Sequence, residues 1–504
     1  MMDSCVYDVV SNAVNETEET ALDKAETKRI YLWRQMFVSS GVWSIYFVLG
    51  LGFGAPTVMI PQIRREANST DAVTESMASW LTSVHGYGAL PWVFVIPLLT
   101  RYVGRKIPFL IICLVTLISF VLFYFSTNTT HLLISAVMQG MLLASNMTLL
   151  IVIITEYSSP KYRGMFMIFE STIFFLGIWV ANATGVFLQW KNIGYIAFIC
   201  SLYPLTVVFW PESPYWLAMK GRFEECAASH HWLKGYDKDS QCELETLIDS
   251  QKQYIKMCEE NKRNVAGNRV KFIYETISTK AFYMPMLISV VVMSMYHFSG
   301  KLVCTMYAMD LINQITGSNM TSSYGMLIMD IITIVGMLLG CILSKILNRR
   351  TLLLSSATSG IFFLYVISVY LYLIKYSVIA ENRYLSILFL TLFSVSISLG
   401  PMIMPSTIFG ELICGRYQTP CLLLLTLFSE FLMATVLKIS PFIFRTLSLP
   451  GAFLFYGMSA SVFTLIVYKY LPETKDKTIL EIENYFKDPV QRREDVKKVL
   501  LKGT

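Results

Sequence analysis

Charge is scarce in this chain. Asp, Glu, Lys and Arg make up only 15% of its 504 residues, against roughly a quarter in soluble globular domains. With 54% hydrophobic residues it could not furnish the polar coat that a water-facing fold requires, which excludes a purely soluble protein. Histidine is scarce too, at 5 residues. No nucleotide-binding loop, His-rich metal motif or nucleophile elbow occurs, so no enzyme, no cofactor and no metal are expected, and no residue is assigned a catalytic role. The ten cysteines include no Cys-x-x-Cys and none in a run read as extracellular, which removes a disulfide framework and a zinc site. A net charge of +6 gives no ground for nucleic acid as a partner. The stretch before Met36 lacks the apolar centre of a signal peptide, so the first hydrophobic helix is expected to direct insertion.

What is abundant is apolar run length. A bilayer core of about 30 Å takes roughly 20 apolar residues per helix. Such runs read at Met36–Ile60, Ala78–Thr100, Ile107–Phe125, Leu132–Thr155, Phe166–Leu188 and Ile193–Trp210. They resume at Met284–Met306, Ser323–Leu347, Thr351–Ile374, Leu385–Phe409, Cys421–Phe444 and Pro450–Tyr468. The expected fold is therefore an all-α membrane protein with twelve transmembrane helices in two six-helix lobes. Its parts are an N-terminal tail (1–35), a first lobe (36–210), a helical linker (211–281), a second lobe (282–470) and a C-terminal tail (471–504). Of the 41 Lys and Arg, 33 fall in the connections of one side and 6 in those of the other. The positive-inside rule then makes both termini and the linker cytoplasmic. Asn68, Asn128 and Asn319 begin sequons in external connections and are candidate glycosylation sites. Asn146-Met-Thr lies mid-span and is expected to stay unmodified.

The two halves repeat one another. Arg101-Tyr-Val-Gly104-Arg105-Lys106 follows span two, and Lys345-Ile-Leu-Asn348-Arg349-Arg350 follows span eight. Glu156 to Arg163-Gly follows span four, and Glu411 to Arg416 follows span ten. Pro211-Glu212-Ser213-Pro214 closes span six, and Pro472-Glu473-Thr474-Lys475 closes span twelve. Three matched pairs in one order mark a parallel-repeat transporter with a midplane site between its lobes. A Gly or Asn turn tolerates positive φ and presents two cations, while Glu156, Glu212, Glu411 and Glu473 supply carboxylates that Arg163 and Arg416 can engage in bidentate fashion. Such pairs are expected to hold the inner ends of the lobes together as a cytoplasmic gate when the carrier faces outward, and to break when it faces inward.

These motifs, with PESPYWL at 211–217, Lys220-Gly-Arg222 and LPETKDKT at 471–478, resemble the sugar porter family of the major facilitator superfamily. Within it the chain is similar to insect-type facilitated trehalose transporters. The resemblance implies a twelve-helix carrier working by alternating access. It also implies sugar ligands, mostly amides, on spans five, seven, eight, ten and eleven. At the corresponding positions this sequence has Ser171, Tyr296-His297, Leu302, Thr333, Ser406 and Ser429. Arg101, Lys345 and Tyr215 also depart from the family pattern around the gate.

Charge replaces the amides. Glu170, Lys301, Asp330, Glu430 and Lys438 lie inside apolar runs, where a charge costs at least about 2.5–3.5 kcal/mol on insertion scales and normally faces a cavity or partner. His297, Lys301, Asp330 and Glu430 are read as one midplane cluster, serving either substrate or an internal ion pair. Glu170 and Lys438 are expected to snorkel from the span ends, and His85 to be a satisfied core histidine. The reading is a monomeric plasma-membrane carrier, with the lipid bilayer and a small solute, a sugar or a related compound, as its partners. Span one carries no carboxylate, which favours facilitative transport. Two other readings stay open: a proton-coupled or ion-pair-recognising carrier of a charged solute, and a transport-dead sensor.

Overall fold

The computed structural model describes residues 2–264, 280–317, 319–380, 382–412, 418–475 and 485–486, and all regular structure among them is helical. In the first lobe α1 (Met2–Glu66) contains the spanning stretch Arg29–Glu66. It is followed by α2 (Glu75–Val103) and α3 (Lys106–Tyr124). Span four is compound: α4 (Thr129–Ser145) and α5 (Ile151–Tyr157) are joined by a π-helix, Asn146–Leu150. Next come α6 (Pro160–Phe187) and α7 (Lys191–Leu202), the latter prolonged by a 3-10 turn to Phe209. The linker holds α8 (Pro214–Met219), α9 (Phe223–Lys234) and α10 (Lys238–Asn264).

The second lobe opens with α11 (Lys280–His297), α12 (Lys301–Met306) and α13 (Ala308–Thr316). It continues with α14 (Asn319–Ile346), α15 (Arg349–Lys375), α16 (Arg383–Leu399), α17 (Met404–Leu412) and α18 (Gln418–Tyr470). Among the described residues ten helical stretches are long and apolar enough to cross a bilayer. One of them, Cys421–Tyr470, is two passes, parted where Ser448 takes φ 54° ahead of Pro450. The shorter apolar α16 continues through Gly400-Pro401 into α17. Twelve passes result, as expected.

Local chemistry sets the ends. The Thr74 hydroxyl accepts from the Met77 N–H to start α2, and Asn382 accepts from Tyr384 and Leu385 to start α16. Pro160 and Pro214 stand at first helical positions, where no N–H is needed. Along α3, Ile107, Ile111, Leu114 and Ile118 are exposed at helical spacing. In water such a stripe would be an adhesive patch; here it meets acyl chains. The linker is tied to the first lobe through α1. Arg34 donates to the Trp232 carbonyl at 3.0 Å and lies over its ring, and Gln35 donates to the Leu233 carbonyl at 3.1 Å.

Candidate functional site

The face that carries the linker and the paired motifs is called the basic face, and its opposite the far face. At the basic face each set of motifs closes on itself inside one lobe. Gly104 takes φ +103°, and a Cβ there would collide with the Glu212 carboxylate, so the turn needs glycine on both counts. Glu212 accepts the Arg105 N–H at 2.8 Å and the Lys106 N–H at 3.4 Å. The Arg105 guanidinium grips Glu156 with two bonds, 2.9 and 2.7 Å, and Ser213 donates to Glu156 at 2.6 Å. Burial works against the Arg105 cation, but the bonds and charge of Glu156, with Glu212 behind, outweigh it and raise its pKa.

The second lobe repeats the cage. Glu473 accepts the Arg349 and Arg350 N–H groups at 3.0 and 3.1 Å, Arg349 bonds Glu411 at 3.0 Å, and Thr474 donates to Glu411 at 2.6 Å.

Three expectations are corrected here. The pairs lie within lobes rather than between them, because each glutamate sits beside the cations of its own repeat. Arg105 rather than Arg163 is the bidentate partner of Glu156, while the Arg163 Nε is buried and meets no partner among the described residues. Asn348 keeps ordinary extended backbone, φ −67° and ψ 142°, so only the glycine turn uses positive φ. Arg416 lies outside the described residues.

At mid-depth two spans are broken. Span seven parts between α11 and α12, where Gly300 takes φ +74°, and span ten parts at Gly400-Pro401. Unwound segments of this kind are where transporters expose backbone to a central site. Lys301 stands at the first position of α12 and is 1% exposed. Its ammonium donates to Thr333 on α14 at 2.8 Å and to Ser394 on α16 at 2.6 Å; the two hydroxyls lie 2.8 Å apart. Asp330, one turn before Thr333, is within electrostatic reach of Lys301. It accepts the Asn182 side-chain N–H from α6 at 2.6 Å, a bond between the lobes.

The expected four-residue cluster is thus two centres. His297 donates to or accepts from Ser429 at 3.0 Å, with Glu430 beside it in sequence. Sequence spacing could show that Asp330 and Thr333 share a face, but it held no signal for Asn182 or Ser394, which read as ordinary small polar residues. Tyr296 packs on the hydrophobic core, Ser171 is half-buried on α6, and the side chain of Ser406 lies outside the described set. Glu170 does not snorkel: it is 7% exposed and lies against Tyr46, whose hydroxyl donates to the Asn146 side chain at 2.8 Å. His85 is buried and bonded to Gln139 at 3.3 Å. Asn68 and Asn128 are exposed at the far face; the side chain of Asn319 lies outside the described set.

Contacts between lobes gather toward the far face. Thr57 donates to the Met306 carbonyl at 3.1 Å, Thr82 and Tyr307 share a bond of 2.7 Å, and Tyr87 meets Thr435 at 3.3 Å. Lys438 stands with its ammonium 3.6 Å from the centre of the Trp80 ring, near the far-face end of α2. A desolvated cation–π contact is worth about 2 kcal/mol. Trp80→Ala is therefore expected to raise labelling of a Thr57→Cys reporter by an impermeant maleimide at least several-fold; unchanged labelling would show that this contact holds nothing shut.

The family model described as "Sugar (and other) transporter" matches residues 35–486. The chain belongs to this sugar transporter family. A facilitated trehalose transporter of Bombyx mori is 24% identical over 477 residues, covering 93% of this chain and 90% of that protein. One of Drosophila simulans is 23% identical over 474 residues, of which the chain spans only 54% of that protein's length, and one of Anopheles gambiae is spanned to 58%. Among solved structures, the E. coli xylose transporter XylE in a partially occluded inward-open conformation superimposes with TM-score 0.68 at 15% identity, covering 88% of this chain and 99% of that one. XylE bound to 6-bromo-6-deoxy-D-glucose gives 0.70 at 14%, covering 91% and 99%. These likenesses show the fold, and the two broken spans and the twin cages belong to a member of this family.

Proposed function

We propose that this protein is a facilitative carrier of a sugar, a hexose or a trehalose-like disaccharide, that works by alternating access in the plasma membrane. It is a monomer and catalyses no reaction. Its basic face, with both termini and the linker, is cytoplasmic; Asn68, Asn128 and Asn319 face outside, where they can be glycosylated. The observation that carries the reading is the polar centre at the breaks in spans seven and ten. It joins Lys301, Thr333 and Ser394, and Asn182 reaches it across the lobe boundary to Asp330. A solute with several hydroxyls can replace these bonds one for one, since each hydroxyl both donates and accepts. Ser171, Tyr296, His297, Ser406, Ser429 and Glu430 complete the proposed substrate path.

The gathering of interlobe contacts at the far face supports a resting shape open to the cytoplasm. The cages of Gly104, Arg105, Lys106, Glu156 and Glu212, and of Arg349, Arg350, Glu411 and Glu473, then act as clamps that keep the inner end of each lobe rigid. Such clamps suit rigid-body rocking of one lobe on the other.

The test is uptake of labelled trehalose and glucose into proteoliposomes, with and without an inward proton gradient. Saturable uptake of either sugar that ignores the gradient is the expected result. Absence of sugar uptake in both conditions would remove the assignment, and dependence on the gradient would remove its facilitative part.

A further inference from the structure

Two atoms on α6 are buried with nothing to bond among the described residues. Asn182 is 0% exposed, and its Oδ1 meets no donor. The other end of the amide settles which end is bare: its N–H goes to the Asp330 carboxylate at 2.6 Å, where an amide oxygen would be repelled. The second atom is the indole Nε1 of Trp179, a donor that meets no acceptor. Residues three apart on a helix are neighbours on its surface, with Cβ atoms about 5–6 Å apart. Trp179 and Asn182 therefore stand side by side, and Ser171 and Phe175 continue their stripe toward the basic face at four-residue spacing. Yet the bare donor and the bare acceptor are not bonded to each other.

The polar groups around them are engaged elsewhere. Asp330 lies in electrostatic reach of Lys301, whose ammonium goes to Thr333 and Ser394. Thr184 donates to the Val180 carbonyl of its own helix at 2.7 Å. Gln62 on α1 donates to the Gly185 and Leu188 carbonyls.

A buried donor and a buried acceptor left open cost free energy until something fills both. An ammonium group has only hydrogens to give, so it would serve Asn182 and leave Trp179 bare. A carboxylate only accepts, so it would do the reverse, close to the charge of Asp330. A hydroxyl serves both through one oxygen: it accepts from the indole N–H and gives its hydrogen to the amide oxygen.

We propose that Trp179 and Asn182 together hold one hydroxyl of the transported sugar and so set which ring position must carry one. The proposal rests on the carrier reading above and deepens it by naming the side chains that read that position.

The test uses the full chain in proteoliposomes. Labelled glucose or trehalose, whichever is taken up, is competed with that sugar's mono-deoxy analogues, each lacking one hydroxyl. In the parent protein one analogue is expected to need a concentration roughly tenfold higher than the complete sugar, because it reopens both groups. Trp179→Phe keeps a ring and removes the N–H. It is expected to shrink that gap to about threefold or less and to leave the gaps at other positions as they were. Asn182→Ala is expected to shrink the same gap by removing the acceptor; should it not fold, Trp179→Phe decides alone. Each ratio is read within one variant, so expression and folding cancel. Equal inhibition by all analogues in the parent, or a gap that survives Trp179→Phe, overturns the proposal. A water bridging the two groups would make Trp179→Phe less stable to heat with every ratio unchanged, and that result overturns it too.

Should neither sugar be taken up, the carrier reading fails separately. The comparison is then made by thermal stabilisation in detergent, which needs no flux. Glucose stabilising the parent more than one of its deoxy analogues, with the difference lost in Trp179→Phe, supports the pair; absence of such a difference overturns it.

Discussion

Arg105→Ala is expected to cost the first lobe about 3–5 kcal/mol, the penalty for leaving a buried charge without its partner. The Arg105 and Glu156 side chains are only 10% and 11% exposed, so water cannot take over the bonds. The guanidinium also donates to the Thr100 carbonyl at 3.0 Å, which stitches the end of α2 to the cage. The repeat-related change, Arg349→Ala, removes a single bond between side chains 23% and 27% exposed. There solvent compensates, and about 1 kcal/mol is expected. Thermal unfolding of the two purified variants in the same detergent measures the difference. Equal losses would mean that the two cages are energetically equivalent despite their different dryness.

The second large effect is at Lys301. Lys301→Met removes the donor of Thr333 and Ser394 and leaves Asp330 as a buried carboxylate with only the Asn182 amide for company. Sugar uptake is expected to fall on the order of 100-fold, because unpaired charge of this kind is worth several kcal/mol. Asp330→Asn is expected to do similar harm by stranding the ammonium. The double change removes both charges and is expected to recover much of the loss, since the two sites share one interaction and their effects do not add. Proteoliposome uptake by the three variants decides it. Single variants near the parent rate, or a double variant as poor as the product of the singles, would show that the two charges act independently of one another.

What could be read from the chain alone follows from range. Span number depends on residues within some twenty positions of each other, and it came out as expected; how the repeated motifs pair does not. Which span faces which is a long-range fact, carried by side-chain fit. The joining of Asn182 to Asp330 across 148 positions, or of Trp80 to Lys438, has no local signature. Glu170 shows the same limit from the other side: its place in the run fits snorkelling, yet it is buried against Tyr46 of α1. The resemblance to a family supplied candidate positions for sugar ligands, but not how Ser, Thr, Lys and Asp would arrange themselves in place of the amides.

The π-helix at Asn146–Leu150 acts as a phase shift. A wide turn holds one residue more than an α-turn, so everything after it in span four is rotated by about 100° relative to an unbroken helix. Glu156 lies one and a half turns beyond that point, and it meets Arg105 in the rotated phase. Loss of a single residue within the wide turn would restore an ordinary helix and swing Glu156 away from the cage, whereas most substitutions there would leave it in place. At this position the length of the chain, more than the identity of its side chains, is what keeps the inner end of the lobe assembled.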